Sequence, residues 1–206
     1  MTVRACYDAA ARAYADHLAG ELGGKPLDRH LLDRFAEAVR GRGRVADLGC
    51  GPGHVGAYLA ERGVDVVGLD LSPGMAREAA RLHPALDVRE GDFTALDLPD
   101  GALAGAVAFY AVVHLGPAEM APAFAEWRRA VAPGGPLLVA FHVGREAVHV
   151  DELWGVQVSL DFRFHDPDAV TGALANAGFA VTERSEREPY DDEYPSRRCV
   201  LFARAV

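Results

Sequence analysis

A chain of 206 residues, half of them hydrophobic and a quarter charged, is long enough for a single sheet covered on both faces. Its net charge of −9 argues against a nucleic-acid backbone as the main partner, since such binders carry a basic stripe. No apolar run approaches the roughly 20 residues of a membrane span, and no secretory signal opens the chain, so neither membrane nor export is expected and the reading is cytoplasmic.

The cysteines, Cys6, Cys50 and Cys199, are far apart and odd in number, which suits a reducing compartment; none has metal-ligand spacing, and no metal is expected. Every basic residue except Lys25 is arginine and alanine is abundant, a pattern of GC-rich codon usage that points to a bacterial source.

Residues 2–20 read as a helix with Tyr7, Ala11, Tyr14 and Leu18 on one face. A second helix, 26–39, carries Leu27, Leu31, Leu32, Phe35 and Val39 and stops at Gly41-Arg42-Gly43. Together they are expected to cap the first core strand. From Arg44 strands and helices alternate, the mark of a parallel sheet with crossover helices. The first strand, 44–48, runs into Asp47-Leu48-Gly49-Cys50-Gly51-Pro52-Gly53 and a helix over 54–62. The second, 65–69, ends at Asp70, and Ser72-Pro73-Gly74 opens a helix to residue 82. A short third strand near 86–89 precedes Gly91-Asp92-Phe93. A nearly unbroken apolar fourth, 104–110, precedes Tyr110 to His114. A helix over 118–131, Pro133-Gly134-Gly135 and a fifth strand, 137–141, follow.

The last third begins with residues 156–165, which alternate apolar and polar as a half-exposed inserted strand would. A helix over 167–177 and strands near 179–186 and 199–204, the last antiparallel, complete the chain. The charged run from Glu183 to Arg198 reads as a solvated strand end and loop. The expected fold is α/β: a doubly wound Rossmann-like sheet, mostly parallel, with an antiparallel final strand, an N-terminal helical cap and a strand inserted after strand five.

Ligands of open α/β sheets bind outside the carboxyl ends of the strands, and polar or glycine signals follow each of the first four here. One trough holding Asp47, Asp70 and Asp92 is expected. Asp70 stands where an acidic residue accepts the hydroxyls of an adenosine ribose, and also where it could simply face a helix dipole. Gly51-Pro52-Gly53-His54-Val55-Gly56 by itself also fits a dinucleotide fingerprint. The wider string from Asp47 to Gly53 closely resembles the first motif of class I S-adenosylmethionine-dependent methyltransferases.

That resemblance implies S-adenosylmethionine as cofactor and S-adenosylhomocysteine as product. It divides one methyltransferase domain, 1–206, into a cap (1–43), a cofactor-binding half (44–141) and a substrate-side half (142–206). Asp47 would face the methionine end above the loop of Gly49, Cys50, Gly51 and Gly53. Asp92 would take the adenine amine, with Phe93 on one side of the ring and Leu71 and Met75 on the other. Tyr7-Asp8-Ala9-Ala10-Ala11-Arg12-Ala13-Tyr14 also resembles a family string whose tyrosines face cofactor or substrate; two tyrosines packed on the sheet would look the same. Tyr110 joins the cofactor set.

The implied reaction is an in-line displacement at a sulfonium methyl, which requires alignment and the exclusion of water. A base is needed only if the acceptor must lose a proton. His114 is the first candidate, with His142 and His165 behind it as bases or wall residues. Tyr7, His114, His142, Trp154, Phe162 and Arg163 form the candidate substrate set, and Phe164 shares the alternation of Phe162. The fourth-strand motif lacks the Pro-Pro-Tyr signature of base and amide methylation and the carboxylates of metal-dependent relatives. A small-molecule acceptor remains. Two other readings keep some of the same residues: a non-methylating binder or cyclase using the bound sulfonium, and a nicotinamide oxidoreductase. The latter lacks a Tyr-x-x-x-Lys pair, the only lysine being Lys25. The alternating insertion also offers an edge for a homodimer.

Overall fold

The computed structural model describes residues 1–206. Seven strands form the main sheet: β1 (Val45–Leu48), β2 (Val66–Asp70), β3 (Asp87–Glu90), β4 (Gly105–Phe109), β5 (Pro136–His142), β8 (Phe179–Arg187) and β9 (Arg198–Ala205). A separate hairpin pairs β6 (Ala147–Leu153) with β7 (Val156–Arg163). The sheet order is β3-β2-β1-β4-β5-β9-β8. Pairing is parallel from β3 to β5 and antiparallel where β9 enters between β5 and β8. Strand order therefore reverses between β1 and β4, where a ligand crevice opens in such sheets.

Alternation along the strands assigns the two faces. Ala46, Leu48, Ala106, Ala108, Val139 and Leu201 pack beneath α5 (Pro117–Ala130) and α6 (Pro167–Asn176), with Phe124 and Trp127 fully buried between them. Val45, Val66, Val107, Leu138 and Phe202 face α2 (Pro26–Val39) and the short α3 (His54–Ala60). Caps fix several helix starts. In α4 (Pro73–Leu82) the Ser72 hydroxyl accepts from Met75 N at 3.1 Å while Pro73 occupies the first turn.

Three sequence expectations need correction. The two N-terminal helices do not form a joint cap. α2 buries a broad stripe of Leu31, Leu32, Phe35, Ala36 and Val39 and is an ordinary sheet-covering helix. α1 (Val3–Leu18) buries only Cys6 and three alanines and lies against α4 and the hairpin, over the strand ends. The insertion is two strands, not one. Trp154 and Gly155, with φ of 46° and 82°, make the tight two-residue turn that matches strand twist. Cys6 and Ala10 of α1 meet Val158 and Leu160 of β7 in a small core of their own.

The third correction concerns the run from Glu183 to Arg198, which holds a buried ion network. Arg187 joins Asp28 at 3.2 Å and Glu193 at 2.5 Å, and Lys25 joins Glu21 at 2.5 Å and Glu193 at 3.2 Å. Arg198, at 3% exposure, stands 3.4 Å from Glu193. Burial alone would raise the Glu193 carboxyl, but these cations and the Tyr190 amide hold it down to about 2.

Candidate active site

The glycine loop leaves β1 at a place where no other residue fits. A Cβ on Gly49 would stand 2.7 Å from the Ala111 Cβ, and its φ is +69°. Asp70, at the end of β2, pins the loop from the side: its carboxylate accepts from Gly51 N at 2.8 Å and Ser72 N at 2.9 Å. Burial raises the Asp70 carboxyl and those two amides oppose the rise. A carboxylate has further lone pairs, so hydroxyl donors can still be accepted.

Two adjoining cavities lie over the strand ends, of 720 and 270 Å³. Both are lined by Tyr7, Tyr14, Gly49, Gly51 and Tyr110, so the glycine loop is their common floor. The larger contains Asp47, Cys50, His142, Trp154 and Phe162; the smaller contains Asp70, Leu71, Met75, Asp92, Phe93 and His114. The trough over the strand ends has two adjoining chambers that share this floor, with Asp47 in the larger and Asp70 and Asp92 in the smaller.

Asp47 is 1% exposed and its Oδ2 has no hydrogen-bond partner. Burial pushes its carboxyl up to about 7, despite the nearby His54 and the Gly56 amide. An orphaned acceptor of this kind is costly, which is expected where a ligand supplies the missing donor. Tyr110 carries a second sign of strain, a left-handed φ of 56° and a buried hydroxyl without a partner. Burial also raises the hydroxyl pKa of Tyr7, Tyr14 and Tyr110 and the Cys50 thiol, keeping all four neutral.

His114 sits in a one-turn helix after β4, Ala111–His114. Its Nδ1 lies 3.0 Å from the Asp161 carbonyl, which can only accept, so Nδ1 carries the hydrogen. Its Nε2 is left as acceptor for the Tyr7 hydroxyl at 2.8 Å. Burial lowers the His114 pKa, opposed by the Asp161 carbonyl, so the ring is neutral near pH 7. This Tyr7–His114 pair, from residues 107 apart, was invisible in the sequence.

Of the predicted site residues, Gly53, His165 and Arg163 line neither cavity. Gly53 turns away from both cavities and backs onto Ala79 and Leu86. His165 is buried outside both, its Nε2–H donating to the Val112 carbonyl at 3.0 Å, so no lone pair there is free for a reacting group. Arg163 lines neither cavity, because it stands on the face of β7 opposite Phe162. Asp92 is exposed and closes its own turn, one oxygen accepting from Thr94 N at 2.8 Å and from its hydroxyl at 2.6 Å. Trp154 stacks on His17 at 4.8 Å and meets Tyr14 edge-on at 5.4 Å, roofing the larger cavity. The sequence reading also missed Asp8, whose carboxylate accepts from Gly74 N at 2.5 Å and ties α1 to α4.

Residues 45–135 match the family model described as a methyltransferase domain. A demethylmenaquinone methyltransferase of Beutenbergia cavernae is 34% identical over 140 residues, covering 67% of this chain and 57% of that protein. The chain spans about half the length of the curated relatives it matches. Among solved structures, a TehB-like methyltransferase from Corynebacterium glutamicum superposes with a TM-score of 0.70 at 21% identity, covering 95% of this chain and 98% of that one. The [4+2]-cyclase SpnF does so with a TM-score of 0.73 at 21% identity, covering 98% and 94%. These two likenesses speak to the fold, which serves a transferase in one and a cyclase in the other.

Proposed function

We propose that the chain is a class I S-adenosylmethionine-dependent methyltransferase, as the family-model match over residues 45–135 and the curated relatives support, and that it transfers a methyl group to a small-molecule acceptor. When bound, the cofactor supplies a methyl group already activated on a sulfonium. The observation that carries the reading is the pair of chambers over one glycine floor, with an unpartnered Asp47 carboxylate in one and Asp70 in the other. Asp47 offers its free oxygen to an ammonium group, and Asp70 retains lone pairs for ribose hydroxyls while holding the loop. Leu71, Met75 and Phe93 give the smaller chamber its apolar walls.

The larger chamber leaves room for an acceptor against Trp154, Phe162 and Phe164. The methyl acceptors named for relatives include demethylmenaquinone and trans-aconitate, both small molecules. Where the acceptor must lose a proton, Tyr7 and His114 form the relay. The acceptor proton passes to the Tyr7 oxygen as the Tyr7 proton passes to His114 Nε2, leaving an imidazolium held at the Asp161 carbonyl. We assign the single unit 1–206 to this activity, in a cytoplasmic setting.

Isothermal titration with S-adenosylhomocysteine tests the reading. Saturable heat with one site is expected, and Asp70→Ala weakens it. Folded protein that gives none overturns it.

A further inference from the structure

His142, Tyr194 and Arg198 meet in the lining of the larger chamber. The charges around it are unevenly matched. Lining side chains include the acids Glu21, Asp47, Asp192 and Glu193 against two bases, Lys25 and Arg198. Lys25 is paired with Glu21 and Glu193, whereas Arg198 stands 3.4 Å from Glu193 and its buried Nε has no hydrogen-bond partner. Acids outnumber these bases four to two in the lining, which disfavours an anionic guest.

His142, at the end of β5, is held by Ser196 and by two aromatic rings. Arg198 Nη1 can only donate, and it donates to the Ser196 oxygen at 3.1 Å. A Ser196 hydroxyl that donates to His142 Nδ1, 2.7 Å away, leaves that nitrogen as an acceptor. The ring is neutral, since burial, with the charge of Arg198 second, pulls its pKa down to about 4. With Nδ1 accepting, the hydrogen resides on Nε2, which has no partner in the chain. The ring is clamped by Phe164, stacked at 5.1 Å, and by Tyr110 at 5.1 Å.

We propose, building on the methyltransferase reading, that His142 is a specificity-determining donor whose Nε2–H selects an uncharged, flat, apolar acceptor molecule carrying a carbonyl or similar oxygen. His142 is thereby a positioning residue and not the base. Ser196 and Arg198 act through it by fixing the tautomer.

Two measurements test this. Nitrogen-15 NMR of histidine-labelled protein at pH 7.5 should show His142 with a protonated Nε2 and an unprotonated Nδ1; Ser196→Ala should admit the other tautomer. Observation of Nδ1–H or of an imidazolium in the wild type overturns the proposal. In parallel, three probes are titrated in the presence of S-adenosylhomocysteine: 4-chromanone, its carbonyl-free analogue chroman, and anionic 1-naphthoate. Binding of 4-chromanone about tenfold tighter than chroman is expected, as one hydrogen bond in a desolvated site would give, with 1-naphthoate weakest. His142→Phe should remove the preference and His142→Gln, which keeps an N–H, should retain most of it. Equal binding of the three, preference for the anion, or no saturable binding of 4-chromanone at millimolar concentration overturns the proposal. A failed S-adenosylhomocysteine titration would instead refute the methyltransferase reading and leave the tautomer result standing.

Discussion

Replacing Asp47 by Asn tests the idea that this buried carboxylate is maintained at a cost to stability. The native carboxyl is raised from an ordinary 3.8 to about 7, with desolvation as the main cause. Folding therefore holds a proton through that interval which the unfolded chain releases, and stability falls as pH rises through it. Each unit of difference corresponds to about 1.4 kcal/mol, so the wild type should lose roughly 3 kcal/mol relative to Asp47→Asn between pH 5 and pH 8. An amide left without an acceptor adds an offset of about 1–3 kcal/mol against the variant, but that offset does not change with pH. The pH-dependent part is therefore the diagnostic quantity. Urea denaturation of both proteins without ligand, at matched ionic strength, measures it. For a chain of this size it corresponds to a shift in Tm of roughly 6–12 °C. A difference between the two proteins that stays constant from pH 5 to pH 8 would refute the reasoning. The same variant should bind S-adenosylhomocysteine more weakly, since the free oxygen that the cleft offers has gone.

Gly49→Ala should cost about 2–3 kcal/mol, because its methyl would meet Ala111 at 2.7 Å on a left-handed backbone; urea denaturation reads it, and a loss below about 0.5 kcal/mol would contradict the packing. Tyr7→Phe should lose about 1 kcal/mol and shift the His114 Nε2 nitrogen resonance, since that atom loses its donor; an unchanged resonance would deny the pair. His142 protonates at 6.5 unfolded but near 4 folded, so it should contribute a loss of up to about 3 kcal/mol as pH falls through that window. His142→Gln should remove that component, and a variant with an unaltered acid limb would contradict the burial. Glu193→Gln should destabilise by about 3 kcal/mol or more, since Lys25, Arg187 and Arg198 would share too little negative charge; a loss like that of an exposed pair would show that the network is solvated.

The fold was legible wherever local pattern decides it. The apolar runs of β1, β4 and β5 and the glycines after β1 placed the sheet and the crevice, and the stripe of α2 gave its limits. The hairpin was half seen: β7 alternates cleanly, whereas Asp151 and Glu152 interrupt the apolar rhythm of β6 where its pairing shifts register. The ion network was missed because a run of charges looks solvated until its partner is known, and Asp28 lies 159 residues from Arg187. Position along the chain ranked His114 before His142 and His165 but could not assign their roles. What separates them is which ring nitrogen already has a partner, and those partners are Asp161, Ser196 and Val112. Such distinctions arise from tertiary contact alone.

The join between α1 and the β6–β7 hairpin has a consequence for traffic into the cleft. Four buried side chains, Cys6 and Ala10 of α1 with Val158 and Leu160 of β7, form the small core that joins helix to hairpin beside the chambers. So small a core should give way at a fraction of the energy needed to melt the sheet. Amides of β7 should then trade deuterium well before those of β4, and the pace of guest exchange would be set by that local parting of a helix from a ribbon.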